Sequence, residues 1–420
     1  MTKTQALLVD NQERYPYLRP YLREWYRDSL TVIPFLFIAG AILLFFLMGF
    51  IDLYLVETLD VLPGQIAAAE AISSVIAVSM LSFMGVIFSI TLVALQLANQ
   101  QFSPHIVRKF EGSGTVKMAM GLFIATFVYA LLLLRESSGG QNSQMASVTI
   151  VLMLVIGSVI FFVIFVKEIL QMLRIGKVIA AIVDDTHHAI NENFPRENAY
   201  VTAEIPVPDE PSLIVRYFDP PSSLLVDRAP QGMLKVVNDV QLLRMAQHGE
   251  YYLRVLFQVG DHIMRGDPVV EVYGANDIDT QQILSQFVVG HERNLIQDPA
   301  FGFRQLVDIA THSLGGGVNL PSIAALVIDN LTELLLQISR RPTPSGYYAD
   351  STGQIRLLRP LPTWEDYVDL AFADISYYGA NHPLVQSKLV EAYDRLLEHV
   401  PEDYKTRLIQ QCDMIGFPNS

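Results

Sequence analysis

Four long apolar runs lie within the first 170 residues, and sequence of mixed polarity follows them. A helix needs about 20 predominantly apolar residues to cross the roughly 30 Å hydrocarbon core of a bilayer. Each run is long enough for that, so we expect four transmembrane helices in a lipid bilayer. The runs cover approximately residues 31–54, 72–98, 117–134 and 146–167.

Lysine and arginine are distributed unevenly around these runs. Residues 1–30 carry five of them, and the loop at 55–71 carries none. Lys167, Arg174 and Lys177 then follow the fourth run. Because cytoplasmic loops of membrane proteins carry an excess of basic residues, we expect both termini to be cytoplasmic.

The formal net charge of −14 comes almost entirely from the second part of the chain. Up to residue 177 the chain has 12 basic and 11 acidic residues, and from 178 onward it has 17 and 32. Nucleic acids require a basic face, so we expect no nucleic-acid partner. The single cysteine, Cys412, excludes an intramolecular disulfide. No catalytic or nucleotide-binding signature is present, so we expect no enzymatic activity, cofactor or metal site.

The chain divides by pattern into five segments, and the fold class we expect is an α-helical membrane protein with a C-terminal cytoplasmic α+β domain. Glycine-punctuated alternation near residue 260 predicts a small β module that resembles a barrel-sandwich. From 276 onward the pattern is helical, with helices at 276–296, 301–313, 321–340, 363–378, 382–399 and 401–412, and a hairpin at 346–360. The segments are an interfacial N-terminal segment (1–30), the transmembrane domain (31–168), a helical stalk (169–202), a β-rich module (203–275) and a mainly helical domain (276–420).

The second apolar run ends in "SFMGVIFSITLVALQLANQQFSP", residues 82–104, which mixes apolar residues with hydroxyls and amides. Ser82, Ser89 and Gln96 are seven residues apart, and Gly85 and Gln100 join them at helical spacing. Small and hydroxyl residues commonly allow membrane helices to pack closely. The same stripe can instead line a water-filled path between subunits. The sequence leaves both interpretations open.

Long stretches of the chain resemble one family. They are "SMLSFMGVIFSITLVALQLANQQFSPHIVRKF", "GLFIATFVYALLLLR", "QDPAFGFRQLVDIATHSL" and "DLAFADISYYGANHP". They are similar to the bacterial membrane proteins grouped as the domain-of-unknown-function 2254 family. The resemblance implies a multi-pass protein of the bacterial inner (plasma) membrane with four N-terminal membrane helices, and it implies no activity. This chain departs from the family's Asn-Asp-Pro step, where it has Leu320 before Pro321.

Two functions are compatible with these observations. The first is a homo-oligomeric channel, with cations favoured because the acidic domain would concentrate them at the pore mouth. Its pore would be lined by the stripe on the second helix, with a hydrophobic gate formed from Phe83, Phe88 and Leu92. The alternative is a non-conducting membrane-anchored sensor or scaffold whose cytoplasmic domain binds a ligand or partner.

Overall fold

The structure is a computed structural model of the 420-residue chain. The described residues divide into two compact units between Val178 and Ile179, here called the N-terminal unit and the C-terminal unit. The predicted interfacial segment, residues 1–30, lies outside the described residues. The structure describes residues 32–58, 64–101, 114–137, 145–172, 174–194, 224–226, 231–274, 278–315, 320–342, 344–350 and 352–415.

Four long helices form the N-terminal unit, and they cover the four apolar runs. Helix α3 packs against the other three. Gly121 permits the approach of α1 to α3, because a Cβ at that position would lie 2.8 Å from the ring of Phe37. The hydroxyl oxygens of Thr126 and Ser158 lie 3.0 Å apart and join α3 to α4. The helices are α1 (Val32–Thr58), α2 (Gly64–Gln101), α3 (Gly114–Ser137) and α4 (Met145–Met172).

Five helices in the described ranges, rather than the four expected, are long and apolar enough to cross a membrane. Four are α1–α4. The fifth is α9 (Pro321–Ser339) in the C-terminal unit, which packs against three neighbouring helices and has more than half of its span buried. Because burial in a protein core also selects apolar residues, length and composition alone do not separate α9 from a membrane helix.

Two small antiparallel-rich sheets and two short helices form one layer of the C-terminal unit. The five-stranded sheet has the order β1-β5-β3-β8-β7, in which only the β3–β8 pair is parallel, and the three-stranded sheet has the order β4-β2-β6. Buried aliphatic residues of both sheets and both helices form a single core. The elements are β1 (Leu224–Val226), β2 (Gly232–Val237), α6 (Asp239–His248), β3 (Tyr252–Val255), β4 (His262–Ile263), β5 (Val270–Tyr273), α7 (Thr280–Leu284), β6 (Phe287–Gly290), β7 (Tyr347–Ala349) and β8 (Ile355–Leu358).

The small sheets and the β7–β8 hairpin confirm the prediction of strands in this part of the chain, and the barrel-sandwich likeness stays a prediction. Two details were wrong. The β-rich stretch contains helix α6, which begins where the side chain of Asn238 accepts the Gln241 N–H. The helix expected at 276–296 is only α7, because the chain then enters β6 and pairs with β2.

A cluster of longer helices forms the rest of the C-terminal unit. Prolines occupy the first turns of α8, α9 and α11, where the missing N–H is not needed. Helix α10 begins with a capping box between Thr363 and Asp366. The helices are α5 (Ile175–Asn193), α8 (Pro299–Leu314), α9, α10 (Trp364–Gly379), α11 (Pro383–His399) and α12 (Glu402–Ile415). Apart from the first, 276–296, the predicted helices of this region are confirmed to within a few residues.

Candidate pore-lining face of helix α2

Helix α2 has 38 residues, so it is about 57 Å long and exceeds the hydrocarbon core at one end or both. One face of the helix is buried among the other helices of the N-terminal unit. The residues that define this face include Ile76, Met80, Ile87 and Ala94, all of them apolar and almost fully buried. Apolar packing therefore fixes the rotation of α2 about its axis.

The predicted polar stripe lies on the opposite face of α2. Ser82, Gly85, Ser89 and Gln96 are all exposed in the single chain. At 100° per residue, the centre of this stripe is roughly 165° from the centre of the buried face. Valines, which are β-branched, lie between the polar positions. Gln100 belongs to the same helix, but its side chain lies outside the described residues.

The stripe is narrow and its polar groups are partly satisfied within the helix. The hydroxyl of Ser82 donates to the carbonyl of Val78, 3.1 Å away, as serines in membrane helices often do. A Cβ on Gly85 would meet no atom within 4 Å, so the groove at this glycine is open. These contacts allow the face to lie against lipid, against a second helix or against water.

The three residues proposed for a hydrophobic gate do not share one environment. Phe88 and Leu92 are exposed and flank the polar stripe. Phe83 is 38% exposed and also contacts the bundle, with its ring centroid 6.2 Å from that of Phe123 and 5.8 Å from that of Phe162. Phe83 is therefore in a position to connect the packing of the bundle with the stripe.

The sequence interpretation missed a buried carboxylate, Asp52 near the end of α1. Its oxygens accept hydrogen bonds from the backbone N–H groups of Ala146, at 2.7 Å, and Ser147, at 3.1 Å, and from the Ser147 hydroxyl. Asp52 thus caps the first turn of α4 from a neighbouring helix. The available signal was an acidic residue inside an apolar run, which is rare and usually has a named partner.

A largely buried carboxylate of the C-terminal unit, Asp298, forms an ion pair with Arg293. Arg293 donates two hydrogen bonds to Asp298, from Nε at 2.8 Å and Nη2 at 3.0 Å. Burial raises the pKa of the Asp298 carboxyl to about 6, although Arg293 acts in the opposite direction. Asp298 also accepts the Phe301 N–H and so begins helix α8. The ion pair therefore holds Asp298 in place at the start of α8.

A shallow cleft of about 450 Å³ lies between α6 and α7 in the C-terminal unit. Its polar lining includes Arg244 and His248, one turn apart on α6, and Asp279. Met245, Tyr251 and Ile278 supply apolar surface. Within the described ranges, no group of three or more metal-ligating side chains comes together.

The comparison with known families decides the classification. The family described as "Predicted membrane protein (DUF2254)" matches residues 27–395. The chain belongs to this family. DUF2254 relatives include uncharacterized proteins of Mycobacterium bovis (Mb1321c) and Mycobacterium tuberculosis (Rv1290c). Each is 26% identical over 360 residues, which is 83% of this chain and 67% of the relative. No solved structure matches the chain. The family and the apolar helices together make this a membrane protein.

Proposed function

We propose that the protein is a homo-oligomeric, cation-favouring channel in which α2 helices from several copies line the pore. The observation that carries the proposal is the position of the stripe Ser82, Gly85, Ser89 and Gln96 on the exposed face of α2. In a single chain this face would meet lipid, where polar groups gain nothing. Copies that turn this face inward would place hydroxyls and amides along a shared wet path.

The same proposal assigns roles to the two units. Helices α1–α4 span the bacterial inner membrane, and α9 stays in the C-terminal unit because its neighbours already cover it. Both termini are then cytoplasmic. The acidic C-terminal unit concentrates cations at the inner mouth. Phe88 and Leu92 form the hydrophobic gate, and Phe83 connects that gate with the bundle.

Thiol accessibility tests the wet path directly. In a Cys412→Ser background, Ser82→Cys and Ser89→Cys should react with membrane-impermeant thiol reagents in proteoliposomes. The matched control is Leu43→Cys, which is 72% exposed and lies near the middle of its own span, as Ser82 does. Equal protection of Ser82→Cys and Leu43→Cys would show that the stripe faces lipid or dry protein, and the pore assignment would be wrong.

Conductance tests the transport itself. Purified protein in planar bilayers under a salt gradient should show a reversal potential displaced toward the cation equilibrium value. Gln96→Ala should change the single-channel conductance, whereas Leu43→Ala should not. A reversal displaced toward the anion value would keep the channel but overturn the charge argument. Silence across pH and voltage, with the oligomer verified, would overturn conduction.

The second candidate function is a membrane-anchored sensor, and the cleft between α6 and α7 favours it. Arg244 offers a cationic donor beside the apolar surface of Met245, Tyr251 and Ile278, which suits a small anionic ligand. Phosphate and short-chain carboxylates are the first probes. A thermal shift abolished by Arg244→Ala, together with silent bilayers, would favour the sensor over the channel.

A further inference from the structure

Four helix ends that meet in the C-terminal unit carry no charged residue. They are the end of α8, the start of α9, the end of α10 and the start of α11. Residues 313–326 and 375–387 contain no Asp, Glu, Lys or Arg, although 32 acidic residues lie between 178 and the C-terminus. We call residues 313–315, 320–326 and 375–387 the charge-free end.

Contacts between the four helix ends make the charge-free end one continuous surface. The Leu320 N–H donates to the Ser313 carbonyl at 3.0 Å, which joins α9 to α8. A Cβ on Gly379 would lie 2.5 Å from Val385 and 3.6 Å from Leu314. The end of α10 is therefore packed between the start of α11 and the end of α8.

Large apolar and aromatic side chains project from this surface. Tyr377 and Tyr378 are 79% and 54% exposed, and their rings meet edge to face with centroids 5.3 Å apart. Leu320 and Leu384 are 43% and 46% exposed. Tyrosine with one apolar and one polar end is enriched where membrane meets water.

Ion pairs lie farther along the same four helices, beyond the charge-free end. Lys388 of α11 bonds Asp329 of α9 at 3.2 Å, and Arg304 of α8 bonds Asp374 of α10 at 2.8 Å. Counted at 1.5 Å per residue from the helix starts, Lys388 and Asp329 lie about 8 and 12 Å inside. Interfacial elements bury their apolar face about 5–10 Å into the headgroup and acyl boundary.

We propose that the charge-free end docks on the headgroup zone of the bilayer, with Tyr377, Tyr378, Leu320 and Leu384 inserted. Helix ends carry unpaired backbone N–H and C=O groups, which the wet headgroup zone satisfies and the hydrocarbon core does not. Because these four helix ends carry no lysine or arginine, the surface recognises zwitterionic lipid rather than anionic lipid. Docking of this kind does not require that the protein conducts ions.

Lipid fits this surface better than a second copy does. The four side chains proposed to insert would by themselves supply well under the about 800 Å² per partner that a stable protein complex buries. The chain also supplies proximity, because α4 ends at Met172 and α5, which leads into the C-terminal unit, begins at Ile175. A tethered unit needs little intrinsic affinity to occupy a surface within its reach.

Lipid-borne quenchers test the docking in the full chain. The protein carries Cys412→Ser and a fluorophore at Tyr377→Cys, and it is reconstituted in phosphatidylcholine vesicles with headgroup-level nitroxide lipid. The control label is at Met264→Cys, which is 64% exposed in the loop after β4 and is flanked by Arg265. We expect nitroxide lipid to quench the Tyr377→Cys label several-fold more than the control, and aqueous iodide to show the opposite order.

Other results would overturn the proposal. Equal, weak lipid quenching at both labels would place the charge-free end in water. Quenching that rises with anionic lipid and falls with salt would show electrostatic adsorption instead. A Tyr377→Cys signal that follows the protein-to-lipid ratio, without lipid quenching, would show a second copy on the surface. As a further check, in a Trp25→Phe background, Tyr377→Glu with Tyr378→Glu should abolish lipid quenching of a Leu384→Cys label while Trp364 fluorescence stays unchanged.

Discussion

The two units place their apolar residues in opposite ways. In the N-terminal unit, α1, α2 and α4 expose phenylalanine, leucine and valine along most of their length. In the C-terminal unit most residues of the same types are buried, and the exposed ones include Leu320 and Leu384 at the charge-free end. Helix α9 meets the length and composition of a membrane span, yet it lies among helices with charged outer faces. The neighbours of a helix therefore indicate better than its own hydropathy whether it crosses a membrane or lies in a protein core.

The two units also differ in the groups that bind their buried carboxylates. Asp298 of the C-terminal unit is 3% exposed and is paired with Arg293. Asp52 of the N-terminal unit is 5% exposed and is satisfied by helix-terminal N–H groups and a hydroxyl. Asp298 thus accepts from a long basic side chain as well as a backbone N–H, whereas Asp52 accepts from two backbone N–H groups and a hydroxyl. Substitutions can test whether this difference has energetic consequences.

The largest effect should follow from neutralising Asp298. Asp298→Asn keeps an acceptor for the Phe301 N–H but removes the carboxylate that accepts two hydrogen bonds from Arg293. We expect a loss of about 2–4 kcal/mol in the free energy of unfolding of the C-terminal unit, less than for a fully buried pair because Arg293 is 28% exposed and burial already disfavours the charged form of Asp298. Denaturant unfolding followed by Trp364 fluorescence, in a Trp25→Phe background, measures it because Trp364 is buried in this unit. Arg293→Met combined with Asp298→Asn should recover most of the loss, and no recovery would mean that the ion pair is not the cause.

A second large effect should follow from filling the contact between α5 and α8. A Cβ on Gly302 would lie 1.9 Å from the Thr186 Oγ1 and 2.9 Å from its Cβ. Because threonine is branched at Cβ and cannot swing away, Gly302→Ala should cost about 1–3 kcal/mol in the same Trp364 assay. Gly40→Ala, in α1 with no atom within 4 Å of the added Cβ, is the control and should leave the Trp364 transition unchanged.

In the N-terminal unit, Asp52→Asn should have a moderate effect. Both carboxylate oxygens of Asp52 now accept hydrogen bonds from N–H and O–H groups. In asparagine one of these oxygens is replaced by an NH₂ group, which would face a donor and turn one hydrogen bond into a repulsive contact. We expect a loss of about 1–2 kcal/mol, seen as earlier thermal loss of helical circular dichroism in detergent. Thr126→Val removes the contact with Ser158, and an interhelical bond of this kind contributes about 0.6 kcal/mol on average. If Asp52→Asn is no worse than Thr126→Val, the helix-capping role of Asp52 is overstated.

Features of the fold and of the candidate site could be predicted from the sequence where they depend on residues close together in the chain, and could not where they depend on distant contacts. Helices α8 to α11 could be located from period and caps, because prolines and Thr363 mark their starts. Helix α6 and strand β6 were not predicted, because a short apolar pattern fits a helix or a strand equally well. The cap at Asn238 decides for a helix in α6, and pairing with β2 decides for a strand in β6. The stripe on α2 could be predicted as one face, but its exposure depends on how α3 packs. Asp52 finds its partners 94 and 95 residues away, so no local pattern reveals them.

The smallest effect should be a pH dependence confined to the β7–β8 hairpin. Burial alone would raise the pKa of the Asp350 carboxyl, but hydrogen bonds from Thr352, Arg356 and Gln354 outweigh it and lower the pKa to about 2. A carboxyl whose pKa is lower in the folded state stabilises the fold above about pH 4, its unfolded value. That stabilisation is lost as the pH falls toward 2. Between pH 5 and pH 3, Asp350→Asn should therefore lose less stability than the wild type in the Trp364 assay. Parallel losses in the two proteins would show that Asp350 is not held in this way, and that the C-terminal unit does not depend on this buried charge.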